Sequence, residues 1–509
     1  MYRKLRAQKT AYLTDKIVRG VRRDEANTGR SHSLDIFKLQ DASVSGSATS
    51  VRELSRALIK FDLSPLRALT SSLLDFTHPS FRAEIHMRDV YGGQTVPSNF
   101  TLVAYPMSRS WDEGIGRDVA YFSDIDTANW ITASWAGSAP SLWNSQGAGQ
   151  GGLLGSSDID YISSGSVGQG IEPLVASQSF TDGTEDLRLD VTRIVSATLA
   201  GRVPDEGFRI ALSQSHEENG KTYFVKRFGS RHTFDPYLRP RLLCRWQSAV
   251  QSHENDFNWD LSGSLFLFNY DRGGLSDIRS GSSATQITGS SCMTLKLVAT
   301  GSTSLVSRSF SVSQHTIGSL VMSGVYSSSF ALLSNESDFV TMYHASASVT
   351  FHPYWKSLDG TVTFVTGSSF SVRRPPRLGF QRSPRNLTVN ITNMQAEYRA
   401  NESTRMRLFV FDKDKLDAPS RVPLALTSEM FYDMHFSIRD KQTGTIAIPF
   451  DPTGKSTLIS CDAAGMFFDL FMEDLEVNRP YAVDFLIRQN GNDQIYRDVG
   501  RQFVVTPVQ

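Results

Sequence analysis

The sequence predicts an all-β protein built of tandem β-sandwich domains, the first of them large, preceded by an extended N-terminal arm. Three observations predict it. Apolar residues alternate along short runs, as at Phe81, Ala83, Ile85 and Met87 and again at Phe208, Ile210 and Leu212, so that one face of each run is apolar. From Trp259 to Val372 such runs recur at close spacing between Gly and Ser turns. Outside the first 30 residues, helical spacing is confined to two short segments.

The bulk properties agree with this class. A chain of 509 residues corresponds to roughly three domains. Its 52 basic residues are balanced by 52 acidic ones, which argues against a nucleic-acid partner, since such a domain is markedly basic. No window reaches the roughly 18 apolar residues of a membrane-spanning helix, so no membrane partner is expected. The basic N-terminus lacks a following apolar segment and does not read as a secretory signal. Cys244, Cys292 and Cys461 are too few and too far apart for a disulfide framework, and none forms a C-x-x-C pair for zinc. They read as small buried apolar residues of a protein made in a reducing cytoplasm. Sequons at Asn99, Asn335, Asn386, Asn390 and Asn401 then have no consequence.

Residues 1–50 read as a basic arm and loop. Tyr12, Leu13, Ile17, Val18 and Val21 have helix-like spacing in a run too short to fold alone. Arg3, Lys4, Arg6, Tyr12, Arg19, Arg22 and Arg23 are its candidate partner-binding residues. An arm of this kind orders on assembly, and deleting residues 1–30 is expected to leave a folded monomer that no longer assembles.

The large sandwich spans 51–247. Residues 65–76 place Leu66, Leu69, Leu73 and Phe76 at helical spacing behind Pro65, which predicts a short helix. Thr192 to Leu199 predicts another, stopped by Gly201. Between the strands sits an insertion, 108–170, rich in Gly, Ser and Asp, with Trp111, Trp130, Trp135 and Trp143, four of the seven tryptophans. A structureless loop of that length is improbable, so the aromatic residues should pin it to the sandwich or to a neighbour. These four indoles are the remaining candidate partner-binding residues.

After a polar linker, 248–372 predicts a second β-sandwich. The segment 373–385 carries five arginines and three prolines and reads as an extended linker. The last unit, 386–509, has the size and alternation of an Ig-like two-sheet sandwich.

No motif for chemistry stands out. The chain has no phosphate-binding G-x-x-x-x-G-K-[ST], no H-E-x-x-H and no G-x-S-x-G. His216-Glu217-Glu218 precedes Asn219-Gly220, a hairpin-turn signal. Asp124-Ile125-Asp126 and Asp158-Ile159-Asp160 lack calcium-loop spacing and read as turn residues, as does Asp412-Lys413-Asp414-Lys415-Leu416-Asp417. The reading is therefore non-enzymatic, with no catalytic, cofactor-binding or metal residues and no cofactor.

Several blocks carry resemblances. Leu58-Ile59-Lys60-Phe61-Asp62-Leu63-Ser64, Trp111-Asp112-Glu113-Gly114, Trp143-Asn144, Leu189-Asp190-Val191-Thr192-Arg193-Ile194-Val195, Phe228-Gly229-Ser230-Arg231 and Leu238-Arg239-Pro240-Arg241-Leu242 follow in the order of a DNRLRE-type β-sandwich. That resemblance covers 51–247 and implies a jelly-roll-like fold, with the insertion as the departure. The whole layout is similar to virion structural proteins of contractile-tailed, cyanophage-like bacteriophages. The carrying residues are Ala11 to Val18, Asp89 to Phe100 and Asp112 to Asp118.

This likeness implies a structural building block of a neck, collar or tail. Its expected partners are other virion proteins of the neck, tail or capsid vertex, and further copies of itself as a homo-oligomer. The expected location is the virion, assembled in the host cytoplasm. The other reading is a glycan-binding adhesin or tail-fibre or baseplate module that recognises host surface carbohydrate. It requires Trp111, Trp130, Trp135 and Trp143 to be exposed for stacking on sugar rings.

Overall fold

The structure is a computed structural model that describes residues 1–40, 51–168, 170–254, 257–271, 274–281, 284–300, 306–374, 385–414, 428–489 and 491–508. Most of the 373–385 linker, the 41–50 loop and part of the Asp412–Asp417 turn lie outside the described residues. The protein is all-β. It divides into two compact units: Arg3–Leu69 with Phe81–Arg245, and Met1–Tyr2 with Thr70–Ser80 and Trp246–Gln509.

The N-terminal unit is built from β1 (Tyr2–Thr14), β2 (Ile17–Val18), β3 (Val21–Arg22), β4 (Ser33–Gln40), β5 (Arg52–Phe61), β6 (Arg82–Met87), β7 (Phe100–Pro106) and β8 (Thr132–Ala136). There follow β9 (Ala139–Leu142), β10 (Gly151–Leu153), β11 (Tyr161–Ser166), β12 (Ile171–Pro173), β13 (Ala176–Phe180), β14 (Leu187–Asp190), β15 (Phe208–Leu212), β16 (Tyr223–Gly229) and β17 (Arg241–Arg245). The main sheet runs β13-β7-β15-β5-β1-β17-β6-β14, and β4 bridges β5 to β16.

The position of β1 corrects the expected arm. Its C-terminal half pairs antiparallel with β5, from Ala7 opposite Phe61 to Thr14 opposite Ser55, and the strand also pairs with β17. From Thr10 to Thr14 every side chain is buried, so both faces are covered. A strand covered on both faces loses the simple alternation that marks a half-exposed one. The helix-like spacing of Tyr12 and Leu13 is that effect, produced by two alternating faces that are both internal. Deleting residues 1–30 would therefore remove a strand from the middle of the sheet.

Of the two expected helices, Thr192–Leu199 forms with both ends as expected, and Gly201 follows at φ +72°. The other is shorter than its apolar spacing suggests and spans only Ser64–Leu69. Thr70, Ser71 and Ser72 follow directly, and such side chains compete for backbone hydrogen bonds and weaken a helix. Asn219-Gly220 does not close a hairpin. It follows a short helix, Gln214–Glu218, whose Glu217 is buried.

The C-terminal unit carries an eight-stranded sheet ordered Phe257–Asn258, Phe370–Arg373, Ser348–Lys356, Met293–Ala299, Ser307–Ile317, Leu320–Ala331 and Ser262–Phe268, with Thr363–Thr366 added beside Ser348–Lys356. Trp259, Phe351, Trp355 and Phe370 fill its core. Tyr270–Asp271 pairs with Gly274–Leu275 and Arg279–Ser280 with Thr285–Gln286, and the remaining strands form a four-stranded and a five-stranded sheet. Phe468 of the first stacks on Phe436 of the second at 4.4 Å between ring centroids, which places the two sheets face to face. Cys244 and Cys461 are buried, Cys292 is half-buried, and all three are free thiols.

Candidate partner-binding surface

The insertion folds onto the strand that the sequence suggested was an arm. Trp111, Trp130 and Trp143 pack with Ala128, Ala133 and Ala148 against Ala11 and Leu13 of β1 and Leu54 and Leu58 of β5. Two of these indoles find internal acceptors. Trp111 Nε1 donates to the Glu206 carbonyl at 3.0 Å and Trp143 Nε1 to the Asn129 carbonyl at 2.9 Å. Trp130 lies under the Arg56 guanidinium at 5.1 Å. Its ring also sits against Gly147, at φ +69°, where a Cβ would come within 2.3 Å of it.

The candidate residues thus fall into two groups. Arg3, Tyr12, Trp111, Trp130 and Trp143 are buried, the three indoles because the insertion and β1 cover each other. Lys4 lies over the Tyr237 ring at 5.8 Å, and Arg23 is partly covered. Arg6 and Arg19 are exposed, and Arg22, also exposed, pairs with Asp15. Arg19-Gly20 forms the tip of the β2–β3 hairpin with φ +53° and +80°, the left-handed pair of a tight two-residue turn. Trp135 is 40 % exposed and ties its own Nε1 to the Gly137 carbonyl at 2.9 Å.

What does face outward is the loop that links Trp111 to Trp130. It is held by Asn27, a fully buried residue beyond β3. Asn27 Nδ2 donates to the carbonyls of Glu113 and Ala128, both at 2.9 Å. Its Oδ1 accepts from Gly116 N at 2.7 Å and from Gly29 N at 3.2 Å. Gly29 is needed here because a Cβ would meet the Glu113 carbonyl oxygen at 1.8 Å. Glu113 in turn accepts from Thr10 N at 2.8 Å and from Arg231 Nε at 2.6 Å.

Fastened in this way, the loop presents Ile115, Tyr121, Phe122 and Ile125 to solvent. Tyr121 is 73 % exposed, and neighbouring Phe234 is 88 % exposed and stacks its other face on His32 at 5.1 Å. The segments are tied together. Arg30 N donates to the Gly116 carbonyl at 2.7 Å, and Thr233 Oγ1 donates to the His32 carbonyl.

The acidic loop motifs organise turns. Asp160 is fully buried and accepts from Asn144 N at 2.7 Å and from Ser145 N and Gln150 N at 3.0 Å. Asp124 Oδ1 accepts from Asp126 N at 3.0 Å. No cluster of three His, Cys, Asp or Glu with metal-holding geometry occurs among the described residues. His216 Nδ1 meets the Ser213 hydroxyl, and its ring packs edge-on against Tyr223. Sequence reasoning missed a buried charge cluster of Arg56, Arg209 and Glu217. Its members lie up to 161 positions apart and share no local motif.

No known protein family and no curated protein matches this chain. Among solved structures, the two N-terminal Ig domains of the Drosophila receptor protein tyrosine phosphatase DLAR align over 52 % of this chain and 96 % of their own, at 7 % identity and a TM-score of 0.13. Alpha-2-macroglobulins of Salmonella and Escherichia coli align over 94 % of this chain at 8 % and 9 % identity, each with a TM-score of 0.15. This chain spans 26 % and 29 % of those two macroglobulins. At such scores neither fold nor function carries over.

Proposed function

We propose that the protein is a non-enzymatic structural subunit of a tailed-bacteriophage particle, a neck, collar or tail component that binds neighbouring virion proteins and further copies of itself. The sequence blocks similar to such proteins support the reading. The observation that carries it is the fastened ledge at 113–125 with Phe234. Large exposed apolar side chains are costly on a solitary surface and mark association sites. Asn27 and Glu113 hold this group rigidly, and a rigid surface loses little conformational entropy when it docks. The adhesin reading loses its motivation, since three of its four sugar-stacking indoles are buried.

The test is a particle-incorporation assay. The chain should co-sediment with purified particles, and Tyr121→Ser combined with Phe234→Ser should leave the purified subunit folded while reducing its incorporation at least tenfold. Absence of the wild-type chain from particles, or normal incorporation of the double variant, would overturn the proposal.

A further inference from the structure

A second surface of the N-terminal unit has the chemistry of a ligand pocket. It is a cavity of about 480 Å³ lined by β5, β7, β11 and β15 and by the helix Gln214–Glu218. Its lining is largely polar: Arg52, Arg56, Arg209, Glu217 and Glu218 carry the charges, with Tyr105, Tyr161 and Gln150 among them.

These charges are unequal. Glu217 is bound bidentately by Arg56, with Nε to Oε1 at 2.9 Å and Nη2 to Oε2 at 2.7 Å. Arg56 spends its Nη1 on the Gly147 carbonyl at 2.7 Å, so its planar donors are committed to the protein. Arg209 is different. It is 3 % exposed and reaches Glu217 only at 3.7 Å, and its Nε finds no acceptor among the described residues. Burial and the neighbouring Arg56 push its pKa down to about 10, which leaves it charged at neutral pH. That Nε is sealed from the cavity, but the guanidinium lines it, and an incoming anion would complete the pairing that Glu217 makes only at 3.7 Å.

The rest of the lining narrows the anion. The Tyr161 ring lies beneath the Arg209 guanidinium at 4.6 Å and beside Tyr105 at 4.7 Å, giving aromatic surface edged by hydroxyl groups. Gln150, Ser163 and Gln214 add neutral hydrogen-bonding groups. An inorganic anion would use the charge and leave most of this lining idle. A carboxylate on a polyhydroxylated ring would use both, because guanidinium matches carboxylate and phenol rings pack against sugar C–H faces.

We infer that this pocket binds an acidic saccharide of the sugar-acid class, with its carboxylate at Arg209. The site is independent of the ledge at 113–125 and does not rest on the assembly reading.

Calorimetric titration of the full chain with glucuronate, glucose, acetate and inorganic phosphate tests it. Glucuronate should bind saturably, and each of the other three at least tenfold more weakly. Gln214→Trp, an exposed change that fills the pocket, should abolish binding without altering the thermal midpoint. Arg209→Lys should weaken binding tenfold or more and, if it also impairs folding, Gln214→Trp still decides. Equal binding of glucose removes the role of Arg209, and equal binding of acetate or phosphate removes the saccharide. Absence of glucuronate binding, or its survival in Gln214→Trp, overturns the proposal outright.

Discussion

The Oδ1 of Asn27 accepts the backbone N–H of Gly116 at 2.7 Å in a fully buried position, across 89 residues of sequence. This one amide side chain also bonds Gly29, Glu113 and Ala128, so it serves both strands of the outward loop. Replacing it with alanine leaves buried peptide groups unpaired, at a cost of roughly 1–3 kcal/mol for each group that stays dry. Asn27→Ala is expected to lower stability by about 3 kcal/mol and to open residues 113–125 to protease. Denaturant melts and the mapped site of first cleavage check it. An unchanged cleavage pattern would show that the loop has other anchors.

The tryptophans of the insertion should divide sharply on mutation. Trp111 is 1 % exposed with its indole N–H satisfied, and Trp111→Ala is expected to cost about 3–5 kcal/mol, the range for deleting a buried aromatic. Trp135 lies at a hairpin edge with its N–H bonded only to its own turn, and Trp135→Ala should cost less than about 1 kcal/mol. Chemical denaturation of the two variants side by side measures the difference. Equal losses would mean that the insertion core does not hold β1.

Glu254, in the C-terminal unit, should make stability fall as pH rises. Burial, and then the nearby charge of Asp462, raise its carboxyl to about 7 from an ordinary 4.5. One of its oxygens finds no partner among the described residues. The folded form therefore keeps a proton that the unfolded chain releases. Below about 4.5 the group contributes no difference. Between 4.5 and 7 stability declines, and above 7 the folded state carries the full penalty, about 3 kcal/mol. Glu254→Gln should flatten this decline and raise the melting temperature at pH 8. Parallel slopes for wild type and variant from pH 4 to pH 8 would refute it.

The strands that alternate cleanly were legible. Phe208 to Leu212 and Arg82 to Met87 both lie in strands, and each shows a repeat of two. The Asp158-Ile159-Asp160 turn was legible too, since a carboxylate among Gly and Ser residues suits backbone N–H groups of a tight loop. The first fourteen residues were not. Their basic side chains dominate the composition, and Arg3 is nevertheless buried, so local polarity points away from the sheet. The ledge and the pocket were hidden for a related reason. Ile115, Tyr121 and Phe234 look like any other apolar residues until the fold leaves them outside.

By itself the sequence determined the class of this protein: an all-β chain, most of its strands, the helix at 192–199 and the insertion anchored by tryptophan. These follow from periodicity and turn chemistry, which act over a few neighbouring residues. Tertiary structure alone decided that β1 and the insertion are each other's partners. It also placed Arg56, Arg209 and Glu217 in one pocket. The longest of these contacts join residues from about 100 to more than 160 positions apart. No local pattern encodes them, because they are set by which surfaces the whole chain can bury at once.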